Sequence, residues 1–340
     1  MMMKLHRLLA LMLLLGSVAL DARAQVCAAE SPLRRTLPVN VLDGQGNLVR
    51  GLTAADFRAS FRGHPVKILS LTRTTGSRRI VILLDVSGSM ASSKSKWEVA
   101  RMAAEDVAAY AATGSLFGLV VFADHVNEKL DLSAGRKAVL QRISQLDPDT
   151  TPGVGKGRTA LLDALEEGIG MFSGSELGDV VFAVTDAGEN SSRTRKKQAE
   201  KSLVSSGTRL FLFLVRSPLP EGVSEIRMGF SVVDDLRKVS GGGRLELRPT
   251  AVSQISGVEN YELDEDARAA VRTLTQGLYQ QMGEFYSVEF ELPVGVDKAR
   301  GWKLEVVDAK GKRRKDVEVV YPRKLAPCAA SDQRPATGDR

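Results

Sequence analysis

Four apolar runs limit what this chain can fold into more than any other feature. Residues 80–84, Leu116–Phe122, 180–184 and 210–215 are almost unbroken stretches of Val, Ile, Leu, Phe and Ala. A strand with one wet face alternates apolar and polar residues, so continuous runs of this length predict strands covered on both faces. Segments with helical periodicity lie between and around them. Trp97, Ala100, Ala104, Val107 and Ala111 mark one; 135–146 is a second; Leu162, Leu165, Ile169 and Phe172 mark a third; 191–204 is a polar fourth. Strand and helix alternate four times, which predicts an open, doubly wound, mostly parallel α/β sheet.

The flanks have a different period. Val39, Val41 and Leu42 run into the turn-rich 43–47, then Leu48 and Val49, a hairpin pattern. Thr53 and Asp56 have the spacing of a helix-start box, and 66–71 reads as extended. Toward the other end, Val271, Leu274, Leu278, Met282 and Phe285 form a helical stripe. Alternation follows in Tyr286, Val288, Phe290 and Leu292, in Trp302, Leu304 and Val306, and in Val317, Val319 and Tyr321. This predicts a C-terminal β-meander. The expected organisation is an N-terminal β-rich unit over 25–77, an α/β domain over 78–286, the meander over 287–328 and a loose polar tail over 329–340. The two terminal pieces are expected to pack together as one small β-rich unit beside the α/β core.

Residues 1–24 read as a secretory signal peptide. Lys4 and Arg7 precede a thirteen-residue apolar run from 8 to 20, and Ala22-Arg23-Ala24 forms a small-x-small cleavage site. The run is too short for a bilayer core of about 30 Å. No later stretch reaches eighteen apolar residues, so the exported chain is expected to lack a membrane span and to be periplasmic or secreted. Cleavage after Ala24 removes Lys4, Arg7, Arg23 and Asp21, taking the net charge from +6 to +4. That mild, mixed charge does not indicate nucleic acid. The chain has two cysteines, Cys27 and Cys328, one near each end. In an oxidising compartment two such thiols tend to pair, which predicts a disulfide joining the ends.

Three His and two Cys exclude a His-rich or Cys-based metal cluster. Oxygen chemistry is better represented. The first apolar run ends in Asp85-Val86-Ser87-Gly88-Ser89, the third in Thr185-Asp186, and Gly157-Arg158-Thr159 precedes a predicted helix. Ligands of open parallel sheets bind beyond the carboxyl ends of the strands. Asp85, Ser87, Ser89, Thr159 and Asp186 are thus two carboxylates and three hydroxyls expected on one rim. Such a set suits a hard divalent cation, Mg²⁺ ahead of Mn²⁺ or Ca²⁺.

Those three segments, in this order, resemble the metal-ion-dependent adhesion site (MIDAS) of the von Willebrand factor type A (VWA) domain. The resemblance runs from about Arg78 to Tyr286. It implies that Asp85, Ser87, Ser89, Thr159 and Asp186 are metal ligands, direct or through water. The family usually has Gly after the last Asp, where this chain has Ala187 and then Gly188. Gly51-Leu52-Thr53 with Asp56-Phe57 before the domain, and the Tyr-led strand and hairpin after it, are similar to an exported bacterial, acidobacterial-type VWFA subgroup.

The expectation is an exported, non-enzymatic interaction module that captures an Asp or Glu of a partner protein at the cation's open position. Two alternatives stand beside it: a metal-dependent hydrolase on the same site, with Glu189 or Asp124 as the acid–base group, and a scaffold with a vestigial site. A Ser–His–Asp hydrolase is disfavoured, because His64 and His125 are the only histidines past the leader and no Gly-x-Ser-x-Gly elbow is present. A phosphate loop at 153–157 is disfavoured too, since Thr150 stands where its first Gly belongs and neither Ser nor Thr follows Lys156.

Overall fold

The structure is a computed structural model that describes residues 26–27, 31–151, 153–215, 225–247 and 263–328. The expected leader and tail lie outside these residues. So does the side chain of Cys27, and with it the Cys27–Cys328 pairing.

The four apolar runs become four neighbouring strands: β5 (Arg79–Asp85), β6 (Leu116–Phe122), β8 (Val180–Thr185) and β9 (Arg209–Val215). With β7 (Val126–Leu130) and β10 (Arg244–Leu247) they form a six-stranded sheet in the order β10-β9-β8-β5-β6-β7. All pairs are parallel except β6–β7 at one edge. The open, mostly parallel sheet expected from the sequence is therefore present. Its runs are continuous because both faces are covered. Ile80, Ile82 and Leu84 pack with α2 (Lys94–Tyr110), α3 (Gly135–Gln145) and α7 (Glu265–Gly283). Val81 and Leu83 point the other way, toward α4 (Leu161–Gly170), α5 (Lys196–Ser206) and α6 (Glu225–Ser240).

The strand order places a topological switch at the centre. The chain leaves β5 toward β6 on one side, then returns to lay β8 on the other side of β5. Loops after β5 and β8 consequently diverge and open a crevice at their carboxyl ends, where such sheets bind ligands.

The flanks build a second, curled antiparallel sheet. Its strands are β1 (Val26–Cys27), β2 (Arg34–Asp43), β3 (Phe57–Phe61), β4 (His64–Thr74), β11 (Phe285–Glu291), β12 (Arg300–Val306), β13 (Val317–Val320) and β14 (Lys324–Leu325). One face buries Leu37, Val39, Phe61, Val288, Phe290 and Trp302 among others. The indole of Trp302 stacks on Phe290 at 4.5 Å and donates to the Pro322 carbonyl at 2.7 Å.

Two local readings are corrected and a third is shortened. The C-terminal strands are not a meander: β11 lies between β2 and β4, β12 lies between β3 and β14, and β13 pairs with β2. Alternation identifies a half-buried strand but carries no information about its neighbour, and here β11, β12 and β13 each take an N-terminal partner. Thr53 and Asp56 do form the expected helix-start box, the Thr53 amide donating to Asp56 Oδ2 at 2.7 Å, but the box opens only a single 3₁₀ turn over Ala54–Asp56 that runs straight into β3. The polar helix starts at Lys196, because Glu189 and Asp163 accept from the backbone amides of Ser192, Arg193 and Thr194 and hold 191–195 as a loop.

The α/β domain is inserted into this second sheet. Thr74, the last residue of β4, sits opposite Phe285, the first of β11, so the chain leaves and re-enters the sheet at neighbouring points. The joint packs against the amino ends of the parallel strands. Arg209, fully buried at the start of β9, lies over Phe211 and Phe285 and donates to Asn40 of β2, whose own amide donates to the Glu284 carbonyl at 2.7 Å. The second sheet is thereby fixed at the end of the α/β domain opposite the crevice.

At the same end, Arg79 of β5 grips Asp179, just before β8, through Nε at 2.8 Å and Nη2 at 2.5 Å, with Asp179 buried. Removing one partner of a buried ion pair leaves the other charge uncompensated. Arg79→Ala is expected to lower unfolding free energy by about 3–5 kcal/mol, measured as a urea-midpoint shift at constant slope; a change below about 1 kcal/mol would place the pair with exposed ones.

Candidate functional site

Asp85 is the last residue of β5, fully buried in the crevice. Its Oδ1 accepts from the Ser87 amide at 2.9 Å and its Oδ2 from the Thr185 hydroxyl at 2.6 Å, which fixes the carboxylate across the β5–β8 switch. Ser87 is the N-cap of α1 (Gly88–Ala91); its hydroxyl lies 3.2 Å from that of Ser89, two residues on. Ser87 is buried, whereas Ser89 is exposed at the rim.

Thr159 comes from the loop after α3. Gly155 donates to the Val86 carbonyl at 2.8 Å and Gly88 to the Gly157 carbonyl at 3.4 Å, seating this loop on the Asp85–Ser89 turn. Gly157 has φ +82°, and a Cβ there would lie 3.2 Å from the Asp124 carboxyl carbon, so glycine is needed for both conformation and space. Thr159 is locked on its other side: its amide donates to Asn190 Oδ1 at 2.9 Å, and its carbonyl accepts from the Asn190 and Ser191 amides at 3.0 and 3.1 Å.

Asp186 follows β8 and is buried; its Oδ1 accepts from the Gly188 amide at 3.0 Å. A Cβ on Gly188 would meet Thr159 Oγ1 at 3.1 Å and Asp186 Oδ1 at 3.2 Å, so these two side chains converge on one glycine. The structure thus brings all five predicted residues, Asp85, Ser87, Ser89, Thr159 and Asp186, to one crevice. Ala187, where the family usually has glycine, holds φ +67° all the same and is buried. The left-handed turn is kept without the residue that adopts it most easily.

One member was not among the predicted residues. Lys96, in the first turn of α2, reaches into the cluster, where its Nζ donates to Asp186 Oδ2 at 2.7 Å and to the Ser89 carbonyl at 2.8 Å. Its side chain is 2% exposed and that of Asp186 1%. The signal was available: Lys96, Ala100, Ala103 and Val107 share one helical stripe, and the last three are apolar. Thr185, Asn190 and Gly229 also escaped notice, because they act on the site through other residues. Gly229 of α6 packs on the Ala187 carbonyl, 2.2 Å from where a Cβ would stand.

The two carboxyls are driven apart. Burial, then the charge of Asp186, pushes Asp85 above the usual carboxylate range. Burial would raise Asp186 too, but the Lys96 ammonium and hydrogen bonds from Lys96, Ser89 and Gly188 hold it below that range. Glu189, the first acid–base candidate, is engaged elsewhere: its carboxylate accepts from the Leu162 and Ser192 amides and the Ser192 hydroxyl, capping the start of α4. Asp124 is exposed at the rim, 2.6 Å from His125 Nδ1.

Against known sequences, residues 80–189 match the family model of the von Willebrand factor type A domain. This segment holds β5, β6, β8 and all five oxygen residues. The chain carries a von Willebrand factor type A domain. No curated protein matches the chain. Among solved structures, an aerotolerance-related membrane protein from Bacteroides fragilis is similar at 18% identity, covering 60% of this chain and 100% of that one, with a TM-score of 0.42. A von Willebrand factor type A protein from Catenulispora acidiphila is 13% identical over 86% of this chain and 73% of its own, with a TM-score of 0.40. Proximal thread matrix protein 1 from the mussel byssus, solved with a zinc-occupied MIDAS motif, is 17% identical over 62% of this chain and 49% of its own, at a TM-score of 0.38.

The donor set of the VWA crevice fits a hard cation. It is all oxygen, and the one charged group already drawn into it is itself a cation. Among the described residues no group of three or more His, Cys, Asp and Glu side chains stands close enough together to hold a metal ion.

Alanine normally stabilises a helix interior by about 1 kcal/mol over glycine. Gly229→Ala is expected to do the reverse, lowering stability by about 1–3 kcal/mol because its methyl must displace the Ala187 carbonyl. Thermal unfolding gives the sign directly: a raised Tm would remove α6 from the support of the site.

Proposed function

We propose that this protein is an exported interaction module whose VWA domain holds a divalent cation, Mg²⁺ first and Mn²⁺ or Ca²⁺ as substitutes, with Asp85, Ser87, Ser89, Thr159 and Asp186. The observation that carries the reading is the convergence of five oxygen side chains, two of them buried carboxylates, at the switch point between β5 and β8. The cation supplies a positive centre with a position left for an oxygen of another molecule. The chain's residues do the rest. Thr185 and the Ser87 amide orient Asp85, Asn190 holds the Thr159 backbone, and Gly188 fixes Asp186. With two acids and the Lys96 ammonium beside a doubly charged ion, the loaded site keeps a positive charge, which suits an Asp or Glu of a partner protein. The crevice faces away from the second sheet, so a partner can approach it unobstructed by that unit.

A binding role is favoured over hydrolysis because Glu189 spends both carboxylate oxygens on backbone amides, Oε2 on that of Leu162 at the start of α4 and Oε1 on that of Ser192. Export rests on the leader pattern of residues 1–24. Among the described residues no helix is long and apolar enough to cross a membrane. β1 pairs Cys27 with Arg35, and Cys328 Sγ lies 3.6 Å from the Pro32 carbonyl, so both chain ends reach the same end of β2. This favours the proposed Cys27–Cys328 disulfide.

Calorimetry is expected to show one Mg²⁺ or Mn²⁺ site per chain, abolished in Asp186→Ala. Capture of an acidic partner from an envelope extract is expected to require Mg²⁺ and to be lost with chelator. An absence of cation binding, or an Asp186→Ala protein that binds as before, would refute the reading; phosphoesterase or peptidase turnover that follows the cation would favour the hydrolase. For the exported form, mass analysis without reductant is expected to find the peptides of Cys27 and Cys328 linked. Finding both as free thiols would remove the disulfide.

A further inference from the structure

Lys96 is an odd occupant of this crevice. A lysine almost never stands fully buried, and the first turn of a helix, the positive end of its dipole, is an unfavourable place for a cation. Nothing in the packing of α2 requires it: Ala100, Ala103 and Val107 on the same stripe are apolar and buried. Its ammonium instead makes two contacts, both with residues of the oxygen cluster, Asp186 Oδ2 and the Ser89 carbonyl.

We propose that Lys96 is a built-in counter-cation that weakens the hold of the VWA site on its divalent ion and strengthens its hold on an acidic ligand. The inference rests on the cation-binding reading above. The argument is charge arithmetic in a buried place. With both carboxylates ionised, Asp85, Asp186 and Lys96 together carry one net negative charge. A divalent ion turns that into one positive charge, and a carboxylate from a partner brings it to zero. Without the lysine the same steps run from two negative charges, through zero, to one negative charge. Coulomb energies in such a crevice far exceed their values in water. Lys96 therefore moves binding energy from the metal step to the partner step. It also leaves the metal-loaded site needing an anion for neutrality, which selects against neutral hydroxyl or amide ligands.

The test compares the wild-type protein with Lys96→Gln and Lys96→Met in calorimetric titrations with Mn²⁺ alone. Glutamine keeps a hydrogen-bond donor and removes the charge, so it separates electrostatics from a merely structural bond. Both variants are expected to bind Mn²⁺ at least about tenfold more tightly than wild type, and the Tm rise caused by Mn²⁺ is expected to be larger in both. Their Tm in chelator reports whether each is folded, and Lys96→Gln keeps the test available if Lys96→Met is not. Equal or weaker Mn²⁺ binding by folded Lys96→Gln, with wild type binding normally, overturns the role of Lys96 alone. No binding by any of the three overturns the cation reading and this inference with it. Binding by the variants but not by wild type supports the counter-cation and overturns the cation-binding reading of the native chain.

Discussion

A parallel sheet buried on both faces has few places for polar chemistry. Every side chain of β5, β8 and β9 is buried, and helices cover both sides of the sheet. Within these layers an unpaired carboxylate or hydroxyl would lose its hydration without recompense. The strand ends escape this limit, since there the loops turn away and backbone amides become free to donate. Asp85 stands one residue and Asp186 two residues beyond the apolar runs, and each takes an amide two residues ahead, Ser87 and Gly188 respectively. The same constraint produces the apolar runs and the polar cluster that follows them.

The opposite end of the sheet is used differently. There Arg79 and Asp179 neutralise each other, and Arg209 reaches across to Asn40 in the second sheet. Insertion of the α/β domain between β4 and β11 places the domain's entry and exit side by side, opposite Phe285 and Thr74. The β-rich unit is then confined to the amino ends, and the crevice is left open. One end of the domain holds the molecule together while the other remains accessible.

The sequence made some of this legible and concealed the rest for identifiable reasons. Continuous apolar runs report burial on both faces, so the four central strands of the α/β sheet could be located within a residue or two, whereas the edge strands β7 and β10, which have no such run, could not. Four members of the oxygen cluster were readable because they stand just after those runs, and Thr159 because a glycine-rich loop precedes it and a helix follows. Strand neighbours in the second sheet were not readable: Val288 and Phe290 alternate correctly whether β11 pairs with β12, as a meander requires, or with β2 and β4, as it does. Pairing between segments some 250 residues apart leaves no local trace. Lys96 was hidden for the opposite reason. It sits within the polar stretch 92–96, where a lysine normally reads as solvated, and only its register with Ala100, Ala103 and Val107 marks it as inward-facing.

That register also explains how two carboxylates can be buried so close together. Asp186 lies near enough to Asp85 to raise its proton affinity, and two like charges in a low-dielectric place repel strongly. The fold relieves this unequally. Asp85 receives one hydroxyl and one amide, both neutral donors, whereas Asp186 receives an amide and a full positive charge. Asp186 is therefore the carboxylate whose charge the protein itself compensates, whereas Asp85 is held by neutral donors alone. An asymmetric pair of this kind is half-neutralised from within, by the one lysine that the helix register turns inward.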